Sequence, residues 1–207
     1  MRSIGIIAIA ACVCCAFPSA QRGAQTSAIT VFIADGSGAR GLRAGDRQLA
    51  SWALEAWRRA APGLSFAEAG ESDALIRLYW TEPNSGRYGE TQPVIVGGQT
   101  GAAVFIQADV ALLGREIADR AARDDLFRDS IVYLTCLHEL GHALGLRHTA
   151  DIRDIMYFFG FGGDIVDYFG RYRSQLHART DISSVSGLSE GDRRRISTLY
   201  APGSPAK

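Results

Sequence analysis

Three of the chain's four histidines fall within one eleven-residue stretch, "HELGHALGLRH", from His138 to His148. Their spacing suits the binding of one metal ion. On an α-helix four residues advance the azimuth by about 400°, so His138 and His142 lie about 40° apart, one turn above the other. Two imidazoles so placed can meet a single ion at about 2.0 Å from each nitrogen. Glu139 lies about 100° round from His138. That puts it on the flank of the same face, within reach of a metal-activated water and poorly placed to be a ligand. On a continuing helix His148 would stand about 240° from His142, so the helix must stop first. Gly145 supplies the stop, because glycine takes positive φ without a Cβ penalty. The chain can then swing back and deliver His148 as the third ligand, leaving the fourth position for water. A lone His-Glu-x-x-His can equally be a helix face of hydrogen-bonded histidines. With Gly145 and His148 added, chance yields the pattern in roughly one chain of this length in 10⁵, which decides for a metal site.

The elements that must position these residues follow from the patterning. "DDLFRDSIVYLTCLHELGHALG", ending at Gly145, is the strongest helix in the chain. "RAGDRQLASWALEAWRRAAPG" predicts a second helix, with Asp46 as N-cap and Leu49, Trp52, Ala53, Ala56 and Ala60 at helical spacing. "LSEGDRRRISTLY", Leu188 to Tyr200, predicts a third, capped by Ser189 with Asp192 three residues on. Strands are expected at Ala28–Asp35, Asp73–Trp80 and Gly101–Asp109, with a short extended piece at "LSFAEA". Residues 81–101 are rich in Gly, Pro, Asn and Thr and read as a long surface loop with a short strand at Val94–Val96. Residues 157–187 read as irregular and aromatic, with a helix from Asp164 to His177. Their aromatic side chains either line a substrate cleft or form a small core in which Ile165, Phe169, Tyr172 and Leu176 recur at helical spacing. The element order is α/β within one domain.

Composition bounds the function classes. At 207 residues and 47% apolar the chain can bury one core. Its 22 basic residues balance 22 acidic ones, which gives no nucleic-acid footprint. "MRSIGIIAIAACVCCAFPSA" has the layout of a secretory leader over residues 1–20, followed by a linker at 21–27. "IAAC" within it also has the form of a lipobox that would anchor Cys12 to lipid. Secretion to the exterior or periplasm is therefore expected, with no membrane span. After a cut at Ala20 only Cys136 remains, and no internal disulfide can form. Cys136 sits about 200° round the helix from His138, facing the core. His177 reads as a surface histidine and "RRR" at Arg193 to Arg195 as a solvated face.

The motif His138, Glu139, His142, Gly145 and His148 resembles the metzincin clan of zinc endopeptidases, and within it the matrixins of the bacterial type. "DIMY" follows, placing Met156 at the matrixin position of the Met-turn, a tight turn that sets a methionine beneath the metal. Tyr157 follows the methionine as in matrixins. Two places after it, where astacins and serralysins carry a metal-binding tyrosine, stands Phe158, and the matrixin proline is missing from that same position. "LSEGDRRRISTLY" resembles the family's C-terminal helix, and the segment "LASWALEAWRRAAPGLSFAEAGESDALIRLYW" more loosely its first helix and following strands.

The resemblance implies a metzincin-like, twisted, mostly parallel sheet with an antiparallel edge strand, a backing helix, an active-site helix and a C-terminal helix, over a catalytic domain at 28–202 with a tail at 203–207. It implies one catalytic Zn²⁺ on His138, His142 and His148, with Glu139 as general base in hydrolysis of protein or peptide substrates. Extended substrate is expected along an edge strand near Gly101–Asp109. Tyr157, Phe158 and Phe159 are candidates for the pocket that receives the residue after the scissile bond. No cysteine-switch segment is visible, and the histidine-free loop at 81–101 speaks against the structural zinc of vertebrate matrixins. Structural Ca²⁺ is left open. A monomer is expected. The competing reading, from another class, is a zinc-binding interaction module that is inactive or of very narrow specificity, and the intact Glu139 argues against it.

Overall fold

Ile76, Leu78 and Trp80 are buried in strict alternation with half-exposed Arg77, Tyr79 and Thr81, so one face of their strand is core and the other is not. That strand is the central one of a five-stranded sheet in the computed structural model, which describes residues 28–81 and 88–201. The expectations for the leader, Cys12, the linker at 21–27 and the tail at 203–207 lie outside the described residues. The elements are β1 (Ile29–Ile33), α1 (Asp46–Ala60), β2 (Phe66–Glu68), β3 (Ile76–Thr81), β4 (Gly89–Val96), β5 (Gln99–Gln107), α2 (Arg115–Ala121), α3 (Asp125–Ala143), α4 (Ile165–Arg173) and α5 (Glu190–Leu199), with short 3₁₀ turns between some of them.

The strand order is β2-β1-β3-β5-β4. β1 pairs in parallel with β2 and β3, β3 pairs in parallel with β5, and β4 is antiparallel on the edge. This is the mixed α/β architecture expected of the resemblance. α3 is the central helix, buried almost throughout from Phe127 to Gly141. α1 lies beside it, with the Trp57 indole N–H donating to the Leu137 carbonyl at 2.9 Å. The opposite face of the sheet carries Phe32, Tyr79 and Phe105, with ring centroids 6.3 and 5.5 Å apart.

Three expectations need correction. Residues 81–101 are not mainly a loop. β4 takes eight of them, and the turn at Gly97 and Gly98, with φ of 56° and 82°, joins it to β5. A strand with one neighbour and two largely open faces carries no apolar alternation, and Pro93 is tolerated because an edge strand has an unpaired side. The strand expected at Gly101–Asp109 is β5, in the interior of the sheet, so the edge available to an extended peptide is β4.

Asp46 is likewise not the N-cap. Gly45 holds that position with φ of 97° and without a side-chain bond. The Asp46 carboxylate, 1% exposed, turns inward to Arg128 of α3, 2% exposed. Arg128 also donates to the carbonyls of Gly41 at 2.7 Å and Ala108 at 3.2 Å, tying α1, the loop before it and the end of β5 to α3.

The final helix forms as expected, with Ser189 and Asp192 in a reciprocal capping box. α4 packs Phe169 and Tyr172 into the core, where Tyr172 stacks on Tyr133 at 5.4 Å. Of the two readings of the aromatic segment, these residues and Leu176 belong to packing. Cys136 is fully buried, and burial pushes its thiol well above the ordinary range. Among the described residues no helix is long and apolar enough to cross a membrane. Because removal of Asp46 leaves the buried Arg128 charge with only the longer contact to Asp129 at 3.2 Å, Asp46→Ala should cost about 3–5 kcal/mol of stability. Urea unfolding of the variant against wild type measures this, and a loss under about 1 kcal/mol would contradict the assigned role.

Candidate metal centre and its surroundings

α3 carries His138 and His142 on its last turns and ends at Ala143. The end is a Schellman motif: the Leu146 N–H donates to the Gly141 carbonyl and the Gly145 N–H to the His142 carbonyl, both at 2.9 Å. Gly145 takes φ of 92°, as the spacing required. The chain then reverses and brings His148 back. Its Nε2 lies 3.1 Å from Nε2 of His142 and 3.3 Å from Nε2 of His138. A tetrahedral ion with metal–nitrogen bonds of about 2.05 Å requires nitrogens about 3.3 Å apart, and these separations fit it.

The tautomers fit as well. His138 Nδ1 lies 2.7 Å from the Ile155 carbonyl and His142 Nδ1 2.9 Å from the Leu146 carbonyl. A carbonyl only accepts, so each Nδ1 carries a proton, and in the neutral imidazole Nε2 is the nitrogen that presents a lone pair. Burial pulls the His138 imidazole down to about 4, the Ile155 bond opposing, and desolvation with its two neighbours lowers His148. Both therefore stand neutral and ready to ligate. Among the described residues these three side chains form the only group of histidine, cysteine or carboxylate residues arranged to hold a metal.

The segment after His148 is tied back onto the site. The Thr149 N–H donates to the Met156 carbonyl at 2.8 Å and the Phe158 N–H to the Thr149 carbonyl at 3.2 Å. Met156 is fully buried, packed so closely on Gly141 that a Cβ there would collide with its sulfur. Asp192 of α5 accepts from the Ile155 N–H at 2.8 Å and the Ser189 N–H at 2.9 Å. Arg195 then links Asp192 to Asp154. A continuous chain of bonds thus runs from the C-terminal helix through Ile155 to the ring of His138. Sequence reasoning saw Asp192 only as a capping residue.

Glu139 is 6% exposed. Desolvation raises its carboxyl pKa, opposed chiefly by a hydrogen bond from Thr91, whose Oγ1 lies 2.8 Å from Oε2. Thr91 and its neighbour Gly89 belong to β4 and escaped the sequence reading, which had taken that stretch for a loop. The three aromatic candidates separate. Phe158 stacks on His148 at 4.9 Å and remains 44% exposed. Tyr157 is largely buried and donates to the Gly162 carbonyl, while Phe159 packs edge-on against Tyr157 and Tyr168. Phe161, 64% exposed, stands edge-on to Phe158. His177 lies on the surface, away from the triad.

The backbone of β4 divides by parity. The Gln107 N–H donates to the Tyr88 carbonyl, and bonded pairs alternate along an antiparallel ladder. Glu90, Gln92 and Val94 thus turn their backbone groups to β5. Gly89, Thr91, Pro93 and Ile95 turn theirs to the open edge. Supporting groups around metal ligands typically affect affinity by about 10- to 100-fold. His142→Ala should therefore abolish stoichiometric metal binding, and Asp192→Ala should weaken it within that range while Asp192→Asn recovers part of the loss. Chelator competition checks all three, and unchanged affinity in Asp192→Ala would cut the tether from the site.

A family model described as matrixin matches residues 28–161. No curated protein matches the chain. Among solved structures, a chain of the GM1-bound form of the ECX AB5 holotoxin is similar with a TM-score of 0.57 at 15% identity, covering 85% of this chain and 81% of that one. Myroilysin is similar with a TM-score of 0.39 at 18% identity, over 84% and 83% of the two chains. The first likeness speaks to the fold alone. The family match spans well over half of the sequence and includes the whole histidine motif together with Met156, and on that ground the chain belongs to the matrixin family.

Proposed function

We propose that this chain is an exported zinc-dependent endopeptidase in which His138, His142 and His148 hold the ion and Glu139 moves the proton. Matrixins are zinc metallopeptidases in general, and a three-histidine group that can hold a metal is present. The observation that carries the finer reading is the approach of His148 Nε2 to within 3.1 and 3.3 Å of the Nε2 atoms of His142 and His138, with the Nδ1 atoms of His138 and His142 held on backbone carbonyls. Zinc in such a set supplies Lewis acidity, polarising a carbonyl and acidifying water near neutral pH. Export rests on the leader-like sequence at residues 1–20.

The chain's own residues divide the remaining work. Glu139, adjoining the triad and shielded from solvent, takes a proton from the attacking water and returns it to the leaving amine. The open backbone groups of Gly89 and Thr91 lie on the strand that also touches Glu139, so an extended peptide added there runs past the base. Phe158, against His148, forms the near wall of the pocket for the residue after the scissile bond.

Glu139→Ala should keep zinc and fold while losing at least about 10²-fold in kcat. Metal analysis with hydrolysis of a random peptide library tests this. A variant within about tenfold of wild type would remove Glu139 from the role. Wild type that holds zinc and cleaves nothing would instead favour the interaction module. Phe158→Ala should shift the preferred residue after the scissile bond towards larger side chains at constant zinc content, one methylene being worth about 1–3 kcal/mol. An unaltered cleavage profile would place the pocket elsewhere.

A further inference from the structure

β4 grips the Glu139 carboxylate from two sides. The Thr91 hydroxyl lies 2.8 Å from Oε2 and 2.9 Å from the Glu139 backbone carbonyl. Having one proton, it donates to one of these acceptors at a time or shares between them. Oε1 faces Gly89, where a built Cβ would stand 2.5 Å from it, with Cγ and Cδ at 2.7 and 2.9 Å. Only a residue without a side chain leaves that space. The φ of Gly89 is not in the left-handed region, so the glycine is explained by this close approach and not by backbone conformation.

We propose that Thr91 is a positioning residue for Glu139: its side chain fixes the carboxylate while its backbone, on the open edge of β4, receives the substrate strand. This rests on the reading of Glu139 as the proton shuttle. With Oε2 bonded to Thr91 and Oε1 against Gly89, the orientation of the carboxylate is set by β4. A carboxylate on three rotatable bonds would otherwise sample several orientations. Because one residue does both tasks, the strand that seats the peptide also sets the distance from peptide to base. Thr91 and Glu139 are 48 positions apart, so the coupling exists only in the folded register of β4 against α3.

The test compares Thr91→Val, which keeps the shape and loses the hydroxyl, with Thr91→Ser, which restores it. Loss of a hydrogen bond to a charged group corresponds to about 10- to 100-fold in rate. In Thr91→Val kcat should fall by that factor with KM within about threefold of wild type and zinc content unchanged, and Thr91→Ser should return kcat to within about threefold. Gly89→Ala, crowding the carboxylate from the other side, should lower kcat similarly. A Thr91→Val enzyme with wild-type kcat overturns the proposal, as does one whose only defect is a raised KM. Crystal structures of the metal-free wild type and Thr91→Val decide independently of turnover. The Glu139 carboxylate should leave β4 in the variant, and a carboxylate that stays in place overturns the assignment even where no peptide is cleaved.

Discussion

Two imidazoles one turn apart on a helix can be joined by a third only from chain that has left the helix. The stop at Gly145 meets this geometric requirement, and the structure from Leu137 to Asp192 is arranged around it. Were the helix to run on, His148 would point away from the other two. The Schellman bonds close the helix end, and the Leu146 carbonyl they position serves a second time by holding the ring of His142. One local backbone event therefore both turns the chain and fixes a tautomer.

Holding three imidazole nitrogens together requires rigidity on all sides, and the fold supplies it from different elements. α3 is gripped by α1 through Trp57 and by the buried Arg128–Asp46 pair. From the other direction α5 reaches the site through Asp192 and Ile155. These supports are polar and internal, so each group in them is costly to leave unpaired. The C-terminal helix is thus part of the frame around the three histidines although it contributes none of them.

Much of this was legible in the sequence, for identifiable reasons. α3, α1 and α5 announce themselves by helical periodicity and by the Ser189–Asp192 spacing, and the histidine motif fixes its own geometry because helix angles are fixed. Only the Val94–Val96 end of β4 was legible: an edge strand with open faces has no apolar alternation to reveal the rest, and Gly89, Thr91, Gln92 and Pro93 are residues of loops elsewhere. Once that part is missed, Thr91 against Glu139 cannot be found, since the contact depends on sheet register. Asp46 misled in the opposite way, because an aspartate at the start of a helix is commonly a cap and only the tertiary position of Arg128 shows that this one is spent inward. Phe158 lay beside the motif in sequence, but which of three neighbouring aromatic residues stacks on His148 is a matter of packing.

Pro93 gives the open edge of β4 a further property. Its position in the ladder faces outward, so where Gly89 and Thr91 offer both a donor and an acceptor, Pro93 offers only its carbonyl. The edge therefore offers a short run of donors and acceptors with a gap two residues beyond Thr91. A second copy of the same strand laid alongside would meet that gap and lose bonds at it, whereas a peptide needing only a few residues of pairing next to Glu139 would not. An uncovered sheet edge invites aggregation, and the outer side of β4 is uncovered. Here a single imino acid lets the edge stay open to short guests while discouraging its own kind.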